Sequence, residues 1–441
     1  MQFPATMRVT AAERPLRIAI AYSRNVLPMN FADQMTVAHL VAFLSARGHA
    51  VDLYTIDAGG HPDAEQQAWL QDACREVHSY PHGKGTFVKA GLSAVPRWLP
   101  FQVALFDNRR MRSDIAARAA DYDVIYTYYI RSGQATRALA KAKGLTTFIA
   151  YQLSQALNTR RIAENPRNWR YGAFYSLEHR LVRAYEARLW QDYTRAVLIG
   201  PADVEAVEQC CRAEGQPLID NYVYGAHGTD LDRFAPKEGV TPVPGRIVFS
   251  GVMRTPTNIQ AVQWFARNVW PIVKRERPHA SWHIVGRQPA AEIEALGSLE
   301  GVTVTGAVPD PAVNIAEAEI CVNPMQAGGG MQNKLIEFLA SARATVATTV
   351  ANEGICAIPG EHLVVADEPD AFAAAILNLL DDPVERERLA RAGREFVQAN
   401  WTWEAHWLKL EKDFYDAIDG KPASRVRSPA EALAAAAIEA A

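Results

Sequence analysis

Residues 322–355 constrain the fold more than any other stretch of this chain, and they read VNPMQAGGGMQNKLIEFLASARATVATTVANEGI. An apolar strand is predicted around 320–322, before the glycine triplet Gly328–Gly330, and a helix with apolar residues at helical spacing follows the triplet. A second apolar strand is predicted at 345–348. Parallel strands joined through a helix form a right-handed crossover. The stretch therefore predicts an α/β fold built on a parallel sheet.

The glycine triplet and the helix after it predict an anion-binding site. Glycines before a helix let the backbone approach a ligand closely, and the exposed N–H groups of the first turn attract an anion. Lys334 and Glu337 lie one turn apart in the predicted helix, so both can face the crevice at the carboxyl ends of the strands. A glycine turn followed by a solvated Lys–Glu pair gives the same pattern, and spacing alone leaves both interpretations open.

The length of the chain and a second copy of the same pattern predict two domains. The 441 residues accommodate two domains of roughly 200 residues each. A predicted strand at 16–22, helix at 36–47 and strand at 51–56 indicate that the first half forms its own doubly wound domain. The stretch 236–245 is rich in Pro and Gly, as expected of an interdomain linker.

The segment that begins with the glycine triplet resembles a known family. The segment GGGMQNKLIEFLASARATVATTVANEGI is similar to the donor-binding segment of family-4 retaining glycosyltransferases, which have the GT-B fold. It is most similar to the bacterial exopolysaccharide-type branch that carries G-x-G-x-x-x-K-x-x-E. The wider family has two glutamates with seven residues between them. Glu337 matches the second, which binds the ribose, whereas the first falls on Gly329.

The resemblance implies an architecture of two Rossmann-like doubly wound domains that face a central cleft. Residues 1–235 would then bind the acceptor and residues 236–400 the nucleotide-sugar donor, while a helix within 401–420 crosses back to the first domain. The Ala-rich residues 421–441 are predicted to be an appended tail.

The second half also contains recurring strand-then-glycine units, at Gly251, Gly286 and Gly306. The carboxyl ends of parallel strands meet at one edge, so these turns should face one crevice. In the family, backbone near the counterpart of Gly306 holds the base. The family's usual Arg is replaced by Val252, and Arg254 is the nearest basic substitute. The predicted donor-binding residues are Gly251, Arg254, Asn258, Gly306, Gly328, Gly329, Gly330, Lys334 and Glu337.

Neither a metal nor a cofactor is predicted. The triplets Asp121-Tyr122-Asp123 and Asp230-Leu231-Asp232 match the D-x-D metal signature of other glycosyltransferases, but carboxylates beside a strand are usually turn residues, and family 4 is metal-independent. The five cysteines show no zinc-type spacing and are predicted to be reduced thiols.

The charge distribution predicts an anionic partner for the first half. Residues 84–195 contain 19 basic and 8 acidic residues, an excess of +11. Within them, residues 84–112 interleave aromatic and basic side chains. Two interpretations of this segment stay open, an interfacial membrane segment and a helix packed on the domain's own core. No nucleic-acid partner is predicted, because no nucleic-acid-binding motif is recognisable.

The absence of a long apolar run and of a secretory h-region predicts a cytoplasmic protein. If residues 84–112 are interfacial, the expected location is peripheral, on the inner membrane face.

The predicted function is transfer of a hexose-type sugar from a nucleoside-diphosphate sugar to a lipid-linked or polysaccharide acceptor, with retention of configuration. In this family, retention is ascribed to front-face attack assisted by the leaving phosphate, so no catalytic nucleophile is assigned. Two alternatives stay open. A non-catalytic GT-B protein of polysaccharide assembly would bind a nucleotide or a partner, as the unmatched first glutamate favours. A nucleotide-sugar epimerase would need catalytic carboxylates and histidines that the sequence does not locate.

Overall fold

The computed structural model describes residues 3, 4, 7, 9–29, 31–58, 60–83, 85–94, 96–142, 144–152, 154–164, 172–225, 228–326 and 332–423. These residues divide into two compact units. The first contains described residues of Met1–His227 and His406–Arg427, and the second contains those of Gly228–Ala405. The predicted linker at 236–245 therefore lies inside the second unit.

The first unit is built on one parallel sheet. Its strands are β1 (Arg17–Tyr22), β2 (Ala50–Asp57), β3 (Glu76–Pro81), β4 (Val124–Tyr128), β5 (Thr147–Gln152), β6 (Arg195–Leu198) and β7 (Tyr222–Tyr224). Their order is β3-β2-β1-β4-β5-β6-β7, and every pair is parallel. Strands β4, β5 and β6 are buried throughout, which explains why most of their residues are apolar.

Helices of the first unit connect these strands. They are α1 (Ala32–Ala46), α2 (Ala64–Ala73), α3 (Gly85–Ala94), α4 (Phe101–Leu105), α5 (Arg109–Ala117), α6 (Gly133–Lys141), α7 (Gln155–Glu164), α8 (Gly172–Leu189) and α9 (Pro201–Ala213), with 3-10 turns at Ala119–Asp121, Ile130–Ser132 and Trp190–Asp192. Segment 84–112 thus contains α3, α4 and the start of α5. Val103 of α4 is buried in the core, whereas Trp98 between α3 and α4 is exposed.

The second unit is built on a smaller parallel sheet. Its strands are β8 (Arg246–Ser250), β9 (Ser281–Val285), β10 (Val302–Gly306), β11 (Ile320–Asn323), β12 (Ala344–Ala347) and β13 (Val364–Val365). Their order is β10-β9-β8-β11-β12-β13. The core beside this sheet includes Trp282, whose ring centroid lies 4.6 Å from that of Phe265.

The helices of the second unit include α14 (Asn333–Ala340), the helix predicted after the glycine triplet. They are α10 (Pro256–Asn268), α11 (Trp270–Glu276), α12 (Ala291–Glu294), α13 (Pro311–Ala316), α14 (Asn333–Ala340), α15 (Thr349–Asn352), α16 (Pro369–Asp381) and α17 (Pro383–Asn400), with a 3-10 turn at Ala295–Ser298. A last helix, α18 (Trp403–Ile418), has most of its residues in the first unit. There, Phe414 packs edge-on against Phe148 of β5 with the ring centroids 4.9 Å apart.

Both strand orders are those of doubly wound sheets, in which the order reverses next to the first strand. The predicted α/β class with two Rossmann-like domains is confirmed. Within the part of the chain that the structure describes, no helix has both the length and the apolar character needed to cross a membrane.

Candidate donor-binding site

The carboxyl ends of β8, β9 and β10 and the start of α14 line a cavity of about 470 Å³ in the second unit. The order of the strands reverses between β8 and β11, and ligands of open α/β sheets bind outside the carboxyl ends of the strands at such a point. We call this the switch-point cavity. It brings together loops that are far apart in the sequence, so its chemistry depends on the fold rather than on one motif.

Two glycines allow these loops to approach each other closely. Gly251 donates its N–H to the Val285 carbonyl at 3.0 Å, and Gly286 donates its N–H to the Gly306 carbonyl at 3.2 Å. Gly251 and Gly286 have φ values of 157° and 153°. A Cβ atom on Gly286 would lie 1.7 Å from the Gly251 carbonyl oxygen, and one on Gly251 would lie 2.8 Å from Asn258 Nδ2. Glycine at both positions therefore permits the loop geometry and leaves the cavity open.

Lys334 is held in the cavity by contacts with other segments. Its Nζ donates to Asn258 Oδ1 at 2.7 Å and lies 5.1 Å from the centroid of the Phe249 ring. Burial lowers the pKa of this ammonium group to about 8, although Glu337 acts in the opposite direction. A bound anion would stabilise the charged form, so the arrangement favours an anionic ligand.

Glu337 lies one turn further along α14 and also lines the cavity. Burial raises the pKa of its carboxyl group to about 7, and the nearby charges of Arg233 and Lys334 only partly oppose this effect. Arg233 also forms an ion pair with Asp310, whose Oδ1 accepts hydrogen bonds from Arg233 Nε at 3.2 Å and from Arg233 Nη2 at 3.1 Å. Strongly shifted pKa values of two facing groups in a cavity are typical of functional sites. A carboxylate in this position can accept hydrogen bonds from hydroxyl groups of a ligand.

The structure brings four of the predicted residues together, since Gly251, Asn258, Lys334 and Glu337 all line the switch-point cavity. Gly306 ends β10 with a φ of 66°, and the two residues after it line the cavity.

Arg254 is exposed and is not one of the residues that line the cavity, so its role in donor binding stays a prediction. The triplet Gly328, Gly329 and Gly330 lies outside the described residues.

Arg287 is a cavity residue that the sequence analysis did not select. It follows Gly286 directly at the carboxyl end of β9, and it lines the switch-point cavity. The signal that could have predicted it is the pattern of a strand, a glycine and an arginine. Arg233 was also not selected, and its proximity to Glu337 could not be read from sequence distance.

The acidic triplets take part in backbone contacts. Asp123 Oδ2 accepts from the N–H of Arg17 at 2.8 Å, and Asp230 Oδ1 accepts from the N–H groups of Asp232 and Arg233 at 3.1 and 3.0 Å. Among the described residues there is no group of three or more His, Cys, Asp or Glu side chains that could hold a metal ion.

Two family models match the chain. The model described as "Glycosyl transferases group 1" matches residues 244–382, which include the switch-point cavity, and the "Glycosyl transferase 4-like domain" matches residues 34–214. The chain is a glycosyltransferase of the GT-B fold. The family resemblance found in the sequence is confirmed at this level.

One curated relative and two solved structures are similar to most of the chain. Over 384 residues, 85% of this chain and 93% of its relative, the glycosyltransferase is 21% identical to an uncharacterized 44.6 kDa protein in the cps region of Klebsiella pneumoniae. Among solved structures, sucrose-phosphate synthase from Thermosynechococcus elongatus is similar with a TM-score of 0.60 and 18% identity, covering 92% of this chain and 100% of that one. Anabaena HepE in complex with UDP is similar with a TM-score of 0.58 and 12% identity, covering 91% and 100%. At these identities the two structures support the fold alone.

Proposed function

We propose that this glycosyltransferase moves a sugar from a nucleoside-diphosphate sugar to a lipid-linked or polysaccharide acceptor, with retention of configuration. The observation that carries the proposal is that Lys334 and Glu337 together line the switch-point cavity. The UDP complex of Anabaena HepE supports a nucleoside-diphosphate ligand, and the Klebsiella relative from a cps region supports a role in polysaccharide assembly.

In this proposal the cations of the cavity bind the diphosphate. The Lys334 ammonium and the Arg287 guanidinium both line the cavity, and guanidinium groups bind phosphate oxygens through two parallel hydrogen bonds. As the bond between sugar and phosphate breaks, negative charge develops on the leaving diphosphate. Fixed positive charges stabilise this transition state more than they stabilise the neutral bond being broken. No metal ion and no covalent enzyme nucleophile are part of the proposal.

Glu337 is proposed to bind the ribose. It lies four residues after Asn333, the first residue of α14, which corresponds to a rise of ~6 Å along the helix. A diphosphate at the start of the helix would therefore place the ribose beside the carboxylate. An ionised carboxylate only accepts hydrogen bonds, so it can bind both ribose hydroxyl groups.

The test is a titration of the purified protein with UDP, GDP and their hexose conjugates, followed by a transfer assay. Selective binding of one conjugate and a product with the same anomeric configuration as the donor are expected. Binding without turnover would favour a non-catalytic protein, and a nucleotide sugar with one inverted carbon would favour an epimerase. A product of inverted anomeric configuration would contradict retention.

We also propose that the first unit contacts an anionic membrane from the inner face. The excess of +11 in residues 84–195 supports this contact, as does the exposed Trp98 between α3 and α4. The burial of Val103 in α4 means that the same segment also contributes to the core, so only its exposed residues are available to lipid.

A further inference from the structure

We propose that a second cavity, in the first unit, binds the phosphate group of an anionic membrane phospholipid. The inference rests on the proposed membrane contact and gives it a defined site. It does not depend on the sugar-transfer chemistry of the switch-point cavity. The site lies between the turn at residues 97–99, α6, α8 and the end of α9.

This cavity has a volume of about 630 Å³ and is lined by both apolar and cationic side chains, with buried apolar residues as its floor. Leu99, Leu181 and Tyr185 are buried residues that contribute to its floor. Five arginines also line the cavity, and they are Arg97, Arg137, Arg180, Arg183 and Arg188. We call this the arginine cavity.

The carboxylates around the arginine cavity do not balance these cations. Glu214 lines the cavity and is shared by two of the arginines, since it lies 2.8 Å from Arg183 Nη2 and 3.5 Å from Arg188 Nη2. Arg97 pairs with Asp107 at 2.7 Å and Arg137 pairs with Asp192 at 2.5 Å. Five guanidinium groups therefore face three carboxylates.

Arg180 is the cation most available to a ligand. It is exposed, and no described residue forms an ion pair or a side-chain hydrogen bond with it. The cationic surface also continues beyond the arginine cavity, because an adjoining cavity of about 400 Å³ shares Arg97 and Arg137 and adds Arg112 and Lys141. A phosphate ester fits this surface, since guanidinium groups bind its oxygens in pairs.

Trp98 at the mouth of the arginine cavity indicates that the ligand also has an apolar part. Its side chain is 80% exposed, and its backbone has a φ of 49°, a left-handed conformation that residues with a side chain rarely adopt. Core packing does not explain this conformation, because the ring makes little contact with the protein. Leu177 of α8 also lines the cavity and is 50% exposed. A Trp and a Leu beside arginines are the combination expected at a membrane–water interface.

A phospholipid satisfies both halves of the site. Its phosphate would bind the arginines, while its acyl chains and the surrounding membrane would cover Trp98 and Leu177. A free phosphate would bind the arginines but would leave both apolar side chains in water, where their exposure is unfavourable.

The test compares two variants that lose the same charge. Arg180→Gln removes a cation from the arginine cavity, whereas Arg267→Gln removes one from an exposed position of α10 in the second unit. The full-length protein is co-sedimented with phosphatidylcholine vesicles that contain or lack phosphatidylglycerol. Wild type is expected to bind the anionic vesicles selectively. Because one basic residue near an anionic surface contributes an effect equivalent to about fivefold in affinity, Arg180→Gln should weaken binding by about that factor, and Arg267→Gln by clearly less.

Equal weakening by the two variants would mean that only net charge matters, and the site assignment would then be wrong. A third variant, Trp98→Ser, should weaken vesicle binding without changing the response to glycerol phosphate in solution. If glycerol phosphate binds wild type as tightly as the vesicles do, a soluble phosphate is the ligand and the phospholipid proposal fails. Donor titration of the same variants should match wild type, so failure of this site and failure of the donor site are observed separately.

Discussion

At the scale of single residues, Glu337 tests the donor site most directly. Glu337→Gln keeps the size of the side chain and nearly the same helix propensity, but the amide offers one acceptor oxygen and adds a donor. Hydrogen bonds to charged groups contribute about 1.5–3 kcal/mol. The affinity for the preferred nucleotide sugar is therefore expected to fall roughly ten- to a hundredfold in calorimetric titrations.

A matched control is available in the same unit. Glu292 is an exposed carboxylate of α12, and Glu292→Gln should leave donor affinity unchanged. If Glu337→Gln folds normally and binds the donor as well as wild type does, Glu337 is not the ribose-binding residue.

The pKa values of the same two groups predict how the reaction depends on pH. Glu337, with a pKa raised to about 7, loses its proton as the pH rises through that value, and Lys334, with a pKa lowered to about 8, loses its charge above it. Donor capture needs the carboxylate ionised and the ammonium charged. The pH dependence of kcat/KM reports the pKa values of groups in the free enzyme. A plot of kcat/KM against pH should therefore be bell-shaped, with its maximum between about pH 7 and pH 8. In Glu337→Gln the acidic limb should disappear, and its persistence would show that another group causes it.

At the scale of elements, the loops after β8 and β9 depend on glycine. A Cβ atom on Gly286 would collide with the Gly251 carbonyl oxygen, so Gly286→Ala must displace one of the two loops. The free energy of unfolding of the second unit is expected to fall by about 1–3 kcal/mol, and donor affinity should fall with it. Urea denaturation monitored in the second unit measures the first effect. Gly297→Ala, where the new Cβ would lie 3.9 Å from Val304 Cγ2, should change stability little, and equal stability of the two variants would contradict the steric argument.

The sequence predicted elements where burial is complete on both faces. Strands β1 and β2, predicted at 16–22 and 51–56, are buried along almost their whole length, as expected of parallel strands covered on both faces. Strand β3 was not predicted, because it lies at the edge of its sheet and only Tyr80 of its residues is buried. In the candidate donor-binding site, too, only part of the arrangement could be predicted from the sequence. Lys334 and Glu337 share one helix and were predictable, whereas the approach of Arg233 to Asp310 joins segments 77 residues apart and depends on the tertiary fold.

At the scale of the whole molecule, the proposed chemistry needs no metal ion. Lys334 and Arg287 supply positive charge beside the proposed diphosphate, and the side chains of Asp123 and Asp230 accept hydrogen bonds from backbone N–H groups. Sugar transfer is therefore expected to persist at full rate in EDTA. Complete loss of transfer that is restored by manganese would overturn this prediction.

The last helix, α18, returns to the first unit and contacts residues that follow α1. Glu411 of α18 accepts from Arg47 Nη2 at 2.7 Å and from His49 Nε2 at 2.6 Å, across 364 residues of sequence in the Arg47 contact. The Glu411 side chain is only 4% exposed.

Glu411→Ala would leave the Arg47 guanidinium without its buried partner, so the free energy of unfolding of the first unit should fall by about 3–5 kcal/mol. Lys412→Ala in the same helix breaks only an exposed pair with Asp416 and should cost less than about 1 kcal/mol. Thermal unfolding of both variants decides the matter, since similar losses would show that the buried pair contributes no more than a surface one.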